Sequence, residues 1–217
     1  MKLSPHYNPP VKPWLDIVYH DDAVIVVNKQ AGLLSVPGKI SRDCIETRVQ
    51  EEFSDAYIVH RLDMATSGIM VLPRGKKNLA HIGKQFEKRT TKKRYIALVD
   101  GIVEKETGTI NLPIRCDWPN RPLQMICYEH GREAITNYEI LERSETSTRL
   151  ALTPLTGRSH QLRLHMKSIG HPIIGDEWYA PLKVKEVSPR LLLHAQELSF
   201  YHPVTAEWKE LRTKCPF

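Results

Sequence analysis

The sequence predicts an α+β fold: one domain with a mainly antiparallel, partly mixed sheet flanked by helices and loops. Three observations predict it. Apolar stretches of strand length outnumber those with helical spacing, and several follow one another directly. Two of them, residues 134–141 and 147–155, alternate on either side of a polar turn at 143–146, which is a hairpin signal. The strand–helix alternation of a doubly wound parallel sheet is missing. At 217 residues, 41% hydrophobic and 26% charged, the chain is long enough to bury a core and too ordinary in composition for disorder or a fibrous repeat.

The elements follow in order. Residues 1–13 form an irregular N-terminal arm, because Pro5, Pro9, Pro10 and Pro13 exclude a regular element; residues 14–217 form the domain. Residues 22–28 are a short apolar strand, and Gly32 and Gly38 punctuate the loop after it. Ile45, Val49 and Phe53 recur at helical spacing, with Ser41 or Asp43 available as N-cap. Residues 69–72 make another short strand. Leu79, Ile82 and Phe86 mark the apolar side of a second helix, and a strand runs over 95–103. Residues 114–131 have little periodicity and read as a loop or hairpin insertion. After the 134–155 hairpin, Leu162, Met166 and Ile169 indicate a short helix stopped by Gly170. A late strand covers 191–201, and 207–213 is placed to pair with it.

Charge is concentrated. The chain carries +6 overall with a pI near 9.1. Residues 74–94 alone hold nine basic side chains (Arg74, Lys76, Lys77, Lys84, Lys88, Arg89, Lys92, Lys93 and Arg94) against one acid, Glu87. A concentrated positive face fits contact with a phosphate backbone, the weaker alternative being a solvated helix face. The four cysteines, at 44, 116, 127 and 215, show neither CxxC nor zinc-finger spacing. The N-terminus lacks the apolar core of a signal peptide, and no apolar run approaches membrane-spanning length. The expected setting is a reducing cytoplasm, with no membrane association and no obligate protein partner evident.

Several chemistries lack their signatures: no GxGxxG, no GxxxxGK[ST] and no HExxH. Ser159 and His160 are adjacent but lack the GxSxG context of a nucleophile, and His160 and His165 are badly spaced for one metal on a helix face. No metal site and no cofactor are expected. Two segments carry ionisable residues in suggestive company. Asp63 lies in His60-Arg61-Leu62-Asp63-Met64-Ala65-Thr66-Ser67-Gly68. By itself that pattern suits either a turn organised by side-chain hydrogen bonds or a reactive carboxylate. In Gly157-Arg158-Ser159-His160-Gln161-Leu162-Arg163-Leu164-His165, arginine near a helix start opposes the helix dipole. Such a placement suits an arginine that serves a carboxylate elsewhere.

These two segments resemble motifs of the RluA-type family of pseudouridine synthases, and the resemblance covers nearly the whole chain. His60-Arg61-Leu62-Asp63 with Thr66-Ser67-Gly68 resembles the catalytic-aspartate motif. Lys93-Arg94-Tyr95 resembles the segment supplying the active-site tyrosine. The 157–165 segment resembles the motif whose last arginine pairs with the aspartate. Gly170-His171-Pro172-Ile173-Ile174-Gly175-Asp176 and Leu193-His194-Ala195 are further landmarks in the family's order. One departure is Gln30 after Asn28-Lys29, where the family usually has proline. The aspartate motif begins at residue 60, which leaves no room for the S4-type RNA-binding domain that many relatives carry. Cys116-Asp117-Trp118-Pro119-Asn120-Arg121-Pro122 resembles the branch acting on both 23S rRNA and the tRNA anticodon stem-loop.

The resemblance implies a cofactor-free isomerase with Asp63, Tyr95 and Arg163 as catalytic residues. Burial alone favours a neutral carboxylic acid, and a neighbouring arginine favours the carboxylate; hence Arg163 beside Asp63, with Arg158 the second candidate. Tyr95 is expected to stack on the flipped uracil. Arg61, Arg158 and His160, with Lys76, Lys77 and Lys84, are expected to contact RNA, Arg61 by filling the space the flipped base leaves. Two rivals use the same residues. A non-catalytic RNA-binding protein on a synthase scaffold would not need Asp63, Tyr95 and Arg163 together. A metal-dependent nuclease would need Asp63, Asp117, Asp176 and histidines to cluster.

Overall fold

The structure is a computed structural model that describes residues 7–39 and 41–217. Residues 1–6 of the expected arm lie outside the described residues. The rest of the arm has no regular element and is nonetheless pinned. Buried Arg48 donates to the Pro10 and Trp14 carbonyls, and the Tyr7 hydroxyl donates to the Asp43 carbonyl and accepts from Leu34 N–H. The chain forms two compact units, 7–93 with 195–216, and 94–194 with Phe217.

The first unit opens with β1 (Ile17–His20), antiparallel to β2 (Val24–Lys29). The periodicity did not reveal β1, because four residues broken by Asp16 and Asp21 are too short to alternate clearly. Helix α1 (Ile45–Glu52) follows. Its N-cap is Cys44, not Ser41 or Asp43. The Asp43 carboxylate instead takes both Arg48 Nε and Nη2, at 2.7 and 2.8 Å, and the Thr47 hydroxyl accepts the Cys44 N–H at 3.0 Å. β3 (Ser67–Pro73) pairs antiparallel with β2 and is buried along its whole length. Two neighbouring strands reading Val-Ile-Val-Val and Ile-Met-Val-Leu bury both their faces, which explains their unbroken apolar runs. Helix α2 (Gly75–Glu87) buries Ile82 and Gln85 and leaves Lys76, Lys77 and Lys84 exposed.

The second unit holds β4 (Lys92–Asp100, entering from the first), β5 (Thr107–Asn111), β6 (Ile114–Cys116), β7 (Gln124–Ile126), β8 (Ile135–Arg143) and β9 (Ser147–Pro154). The order β4-β9-β8-β5 is antiparallel throughout. β8–β9 is the expected hairpin, with a bulge between Ile140 and Glu142. The expected insertion is the β6–β7 hairpin. Helix α3 (Gln161–Ser168) and the short α4 (Leu182–Lys185) complete the unit. Ile114, Ala134, Leu164 and Tyr179 pack together with Leu123, Ile126 and Trp178 against them. Each fully buried aliphatic side chain contributes about 1.5–3 kcal/mol, so the hairpin is anchored to α3 by its apolar residues.

The chain then returns to the first unit through β10 (Leu193–Tyr201) and β11 (Trp208–Arg212), an antiparallel pair as expected. There Gln85 of α2 clamps the end of β10: its Nε2 donates to the Tyr201 carbonyl at 2.7 Å and its Oε1 accepts the Tyr201 N–H at 2.8 Å. The α+β class and the mainly antiparallel pairing are as the sequence predicts. Among the described residues no helix is long and apolar enough to cross a membrane, and none of the cysteines is disulfide-bonded.

Candidate active site

Asp63 sits in the loop between α1 and β3, partly exposed, and its neighbours on both sides are tied down. On one side, the buried Ser35 hydroxyl accepts the Leu62 N–H at 3.1 Å and donates to the Leu62 carbonyl at 2.7 Å. On the other, the Met64 carbonyl accepts from Gly32 N–H at 2.8 Å and from Lys29 Nζ at 3.1 Å. Lys29 is fully buried, and its ammonium also donates to the Gln30 and Leu33 carbonyls, at 2.9 and 2.6 Å. Asp63's own carbonyl accepts Thr66 N–H, closing a turn at 3.1 Å. The carboxylate therefore projects from a loop whose backbone is fixed at three consecutive residues. That is the condition a reacting group needs to be held in one geometry.

Two further residues shape this loop. Gly68 has φ +122°, and a Cβ there would stand 2.2 Å from the Ala195 carbonyl oxygen, so only glycine fits against β10. His60 stacks on Phe86 of α2, with centroids 4.6 Å apart, and its Nε2 accepts the Val71 N–H at 3.0 Å. A backbone N–H only donates, so Nε2 carries a lone pair and the ring is neutral. Burial, with the Lys93 charge nearby, lowers the His60 pKa to about 3.

Tyr95 lies on β4, opposite Leu152 of β9, and is partly buried. Arg163 projects from α3, 3% exposed. Its Nε and Nη2 donate to Asp176 Oδ2 and Oδ1 at 2.8 and 2.6 Å. Asp176 is fully buried, and Oδ1 also accepts the Trp178 and Tyr179 N–H groups. The guanidinium lies over the Trp178 and Tyr179 rings, 4.8 and 5.2 Å from their centroids. A buried arginine is thus positioned by an ion pair, a tight turn and two aromatic faces.

Arg158 and His160 sit at the start of α3. Arg158 Nε donates to the Glu133 carbonyl at 3.0 Å. His160, at φ +55°, is the N-cap, with Nδ1 2.8 Å from the Tyr179 hydroxyl. Gln161 organises this end. Its Oε1 accepts the Thr156 hydroxyl and the Arg158 N–H, and its Nε2 donates to the Ile135 carbonyl and the Thr136 hydroxyl. His165 closes the network against Thr136 Oγ1 and the Leu112 carbonyl, and burial lowers its pKa. Arg61, Lys76, Lys77 and Lys84 are exposed, and the three lysines share one face of α2.

The residues that sequence reasoning missed are the supporting ones: Lys29, Ser35, His60 and Asp176. Asp176 stood within a landmark segment and among the carboxylates of the nuclease reading, but not as a partner of Arg163. Only its place at the end of an apolar strand offered a hint of Lys29. Gln30 donates to the Pro13 carbonyl at 2.9 Å, while its Oε1 is buried without a hydrogen-bond partner among the described residues. The carboxylates a nuclease would recruit serve separate partners: Asp117 accepts from Asn120, and Asp176 from Arg163. No group of three or more His, Cys, Asp or Glu with metal-holding geometry occurs among the described residues.

Comparison with known proteins shows the family and the fold. The model of the RNA pseudouridylate synthase family matches residues 23–168. The dual-specificity RNA pseudouridine synthase RluA of Vibrio parahaemolyticus is 50% identical over 97% of this chain and 87% of its own. The enzyme of the same name from Pasteurella multocida is 51% identical over 93% and 94%, and that from Escherichia coli K12 50% over 91% and 92%. Among solved structures, human RNA Pseudouridylate Synthase Domain Containing 1 superposes with a TM-score of 0.80 at 29% identity, covering 94% of this chain and 84% of its own.

Proposed function

The chain belongs to the RNA pseudouridylate synthase family and is an RNA pseudouridine synthase, an isomerase; from that membership we propose that it modifies uridines in both 23S rRNA and the tRNA anticodon stem-loop, in the cytoplasm. The dual specificity stated in the names of relatives at about half identity supports two RNA classes. The 116–122 segment, which resembles that branch, supports it too.

The reaction breaks the C1′–N1 bond, turns the uracil, joins C1′ to C5, and moves one proton from C5 to N1. Nothing is added or lost, so no donor, oxidant or metal enters the balance. Asp63 starts the reaction at the ribose, as a nucleophile or a base. The single observation that carries this role is the fixation of its loop at Leu62, Asp63 and Met64. Arg163, buried and held by Asp176, is the arginine assigned to favour the ionised form of Asp63. Tyr95 stacks on the flipped uracil. Flipping costs about a few kcal/mol, least from a loop or a distorted strand, so loop RNA is the substrate. Arg61 fills the vacated space, Arg158 and His160 line the RNA path, and Lys76, Lys77 and Lys84 hold the backbone.

The test uses an anticodon stem-loop and a 23S fragment, each tritiated at uracil C5. Wild type should release tritium from both, whether or not a chelator is present. Asp63→Asn should bind both and release none. Release from one RNA alone would reduce the reading to single specificity. Release by Asp63→Asn at the wild-type rate would remove Asp63 from the chemistry, and binding without any release by wild type would favour a silent RNA-binding protein.

A further inference from the structure

Between β6 and β7 the chain makes a single 3₁₀ turn, Trp118–Asn120, fixed by its own hydrogen bonds. Asp117 N–H donates to the Leu123 carbonyl, Asn120 N–H to the Asp117 carbonyl and Leu123 N–H to the Asn120 carbonyl, each at 3.0 Å. The Asn120 side-chain amide donates to the Asp117 carboxylate at 3.0 Å. Next to the turn, Leu123 and Ile126 pack against the cluster that holds Leu164 of α3 and Tyr179, and the Tyr179 hydroxyl accepts the Gln124 N–H at 2.9 Å. The largest side chain of this anchored turn nonetheless faces water: Trp118 is 59% exposed. The guanidinium of Arg121, itself exposed, lies over the ring, 3.4 Å from its centroid. Met125 of β7 and Tyr128 just after it are exposed as well. A single apolar side chain on a surface is ordinary. An indole held on a fixed turn, with a cation stacked on it, is a preorganised binding face.

The chemistry of that face says what it takes. Every nucleobase has a flat π-face, so an indole accepts any of them, and the guanidinium beside it suits the phosphate of the same nucleotide. A base inside a helix is already stacked, so the nucleotide must be unpaired. A protein partner would need a broad contact area, and here one ring stands among the polar groups of Asp117, Asn120 and Arg121. Tyr95, assigned to the flipped uracil, belongs to the other sheet. Resting on the reading of this chain as an RNA-modifying enzyme, we propose that Trp118, backed by Arg121, is a second base-binding site, which stacks on an unpaired nucleotide other than the target uridine. It selects RNA that presents an unpaired base there as well as a uridine to flip. Because the hairpin is anchored to the helix that carries Arg163, the bound base is held in a fixed relation to that arginine.

The test is equilibrium binding of a labelled anticodon stem-loop, with Asp63→Asn as parent so that no turnover intrudes. A set of the same stem-loops, each lacking one loop base, is measured beside it. Added Trp118→Ala should weaken binding of the intact stem-loop by about fivefold to a hundredfold, the worth of one base stacked on an aromatic ring. Added Trp118→Phe, which keeps a ring, should restore most of it. One abasic stem-loop, other than the one lacking the target base, should bind the parent more weakly by the same factor and bind Trp118→Ala no more weakly than the intact RNA does. Such non-additivity marks a direct contact. Without RNA, Trp118→Ala should melt with the parent, because the ring is exposed. Equal affinity of the parent and Trp118→Ala overturns the inference. So does a full loss on removing each base in the Trp118→Ala background, and so does a melting temperature that falls together with binding, which is the mark of a structural residue. If the parent itself binds neither stem-loop nor 23S fragment, the functional reading fails and takes this inference with it; with a parent that binds, any difference belongs to Trp118 alone.

Discussion

Arg163 grips Asp176 through two of its three guanidinium nitrogens, at 2.8 and 2.6 Å, with both side chains withdrawn from solvent. The arginine expected to serve the catalytic carboxylate is therefore first a partner of another one. That second carboxylate fixes its direction.

Removing one member of such a pair leaves the other charged and buried. Asp176→Asn and Arg163→Met should each destabilise the protein by about 3–5 kcal/mol, read from urea melts. Each should also lower tritium release by at least tenfold when folded protein is assayed. The double variant should regain stability and stay inactive, since two neutral groups cost far less to bury than a charge that has lost the partner it grips here. A double variant as unstable as the singles would show that the pair does not act as a unit.

Ser35 touches Leu62 twice, so Ser35→Ala strands a backbone N–H and a carbonyl in a buried place. A stability loss of about 1–3 kcal/mol is expected from the unsatisfied groups. The more telling readout is kinetic. Asp63 loses its fixed neighbour while the exposed lysines of α2 stay untouched, so kcat should fall about tenfold at little change in KM. A rise in KM with kcat preserved would place the effect in binding instead.

His60 stays neutral in the folded protein down to about pH 3, and once unfolded it takes a proton near pH 6.5. Below 6.5 the unfolded chain thus binds more protons than the folded one, and stability falls as the medium becomes more acid. Its contribution is complete above about pH 6.5 and is lost progressively toward pH 3, by up to about 1.4 kcal/mol per pH unit. His165, lowered by burial, adds in the same direction. His60→Gln keeps an acceptor for the Val71 N–H and should flatten this dependence by as much as one proton, measured by urea melts between pH 7.5 and 4.5. An unchanged slope would count against a neutral His60.

Most of the fold was legible where a pattern repeats. The 3.6-residue spacing of Leu79, Ile82 and Phe86 announces α2, and the alternation on either side of 143–146 announces β8 and β9. β1 and β5 were not legible, because strands of four and five residues flanked by acids or glycine carry too few periods to separate from loop. The Ser41 or Asp43 cap failed for another reason: a competing partner, Arg48, took the Asp43 carboxylate. In the site, Asp63, Tyr95 and Arg163 stand out only through their motifs. Lys29, Ser35 and Asp176 reach Met64, Leu62 and Arg163 across 35, 27 and 13 positions of chain, and nothing local to a sequence marks such contacts.

The strand lying against Gly68 comes from residues 195–216, far along the chain from the rest of its unit. During synthesis the Asp63 loop thus lacks the strand that packs behind it until that segment has left the ribosome. A nascent or truncated chain ending before Leu193 carries every residue of the aspartate motif and none of the support behind Gly68. The packing behind the Asp63 loop is therefore completed by a strand made more than a hundred residues after the loop itself.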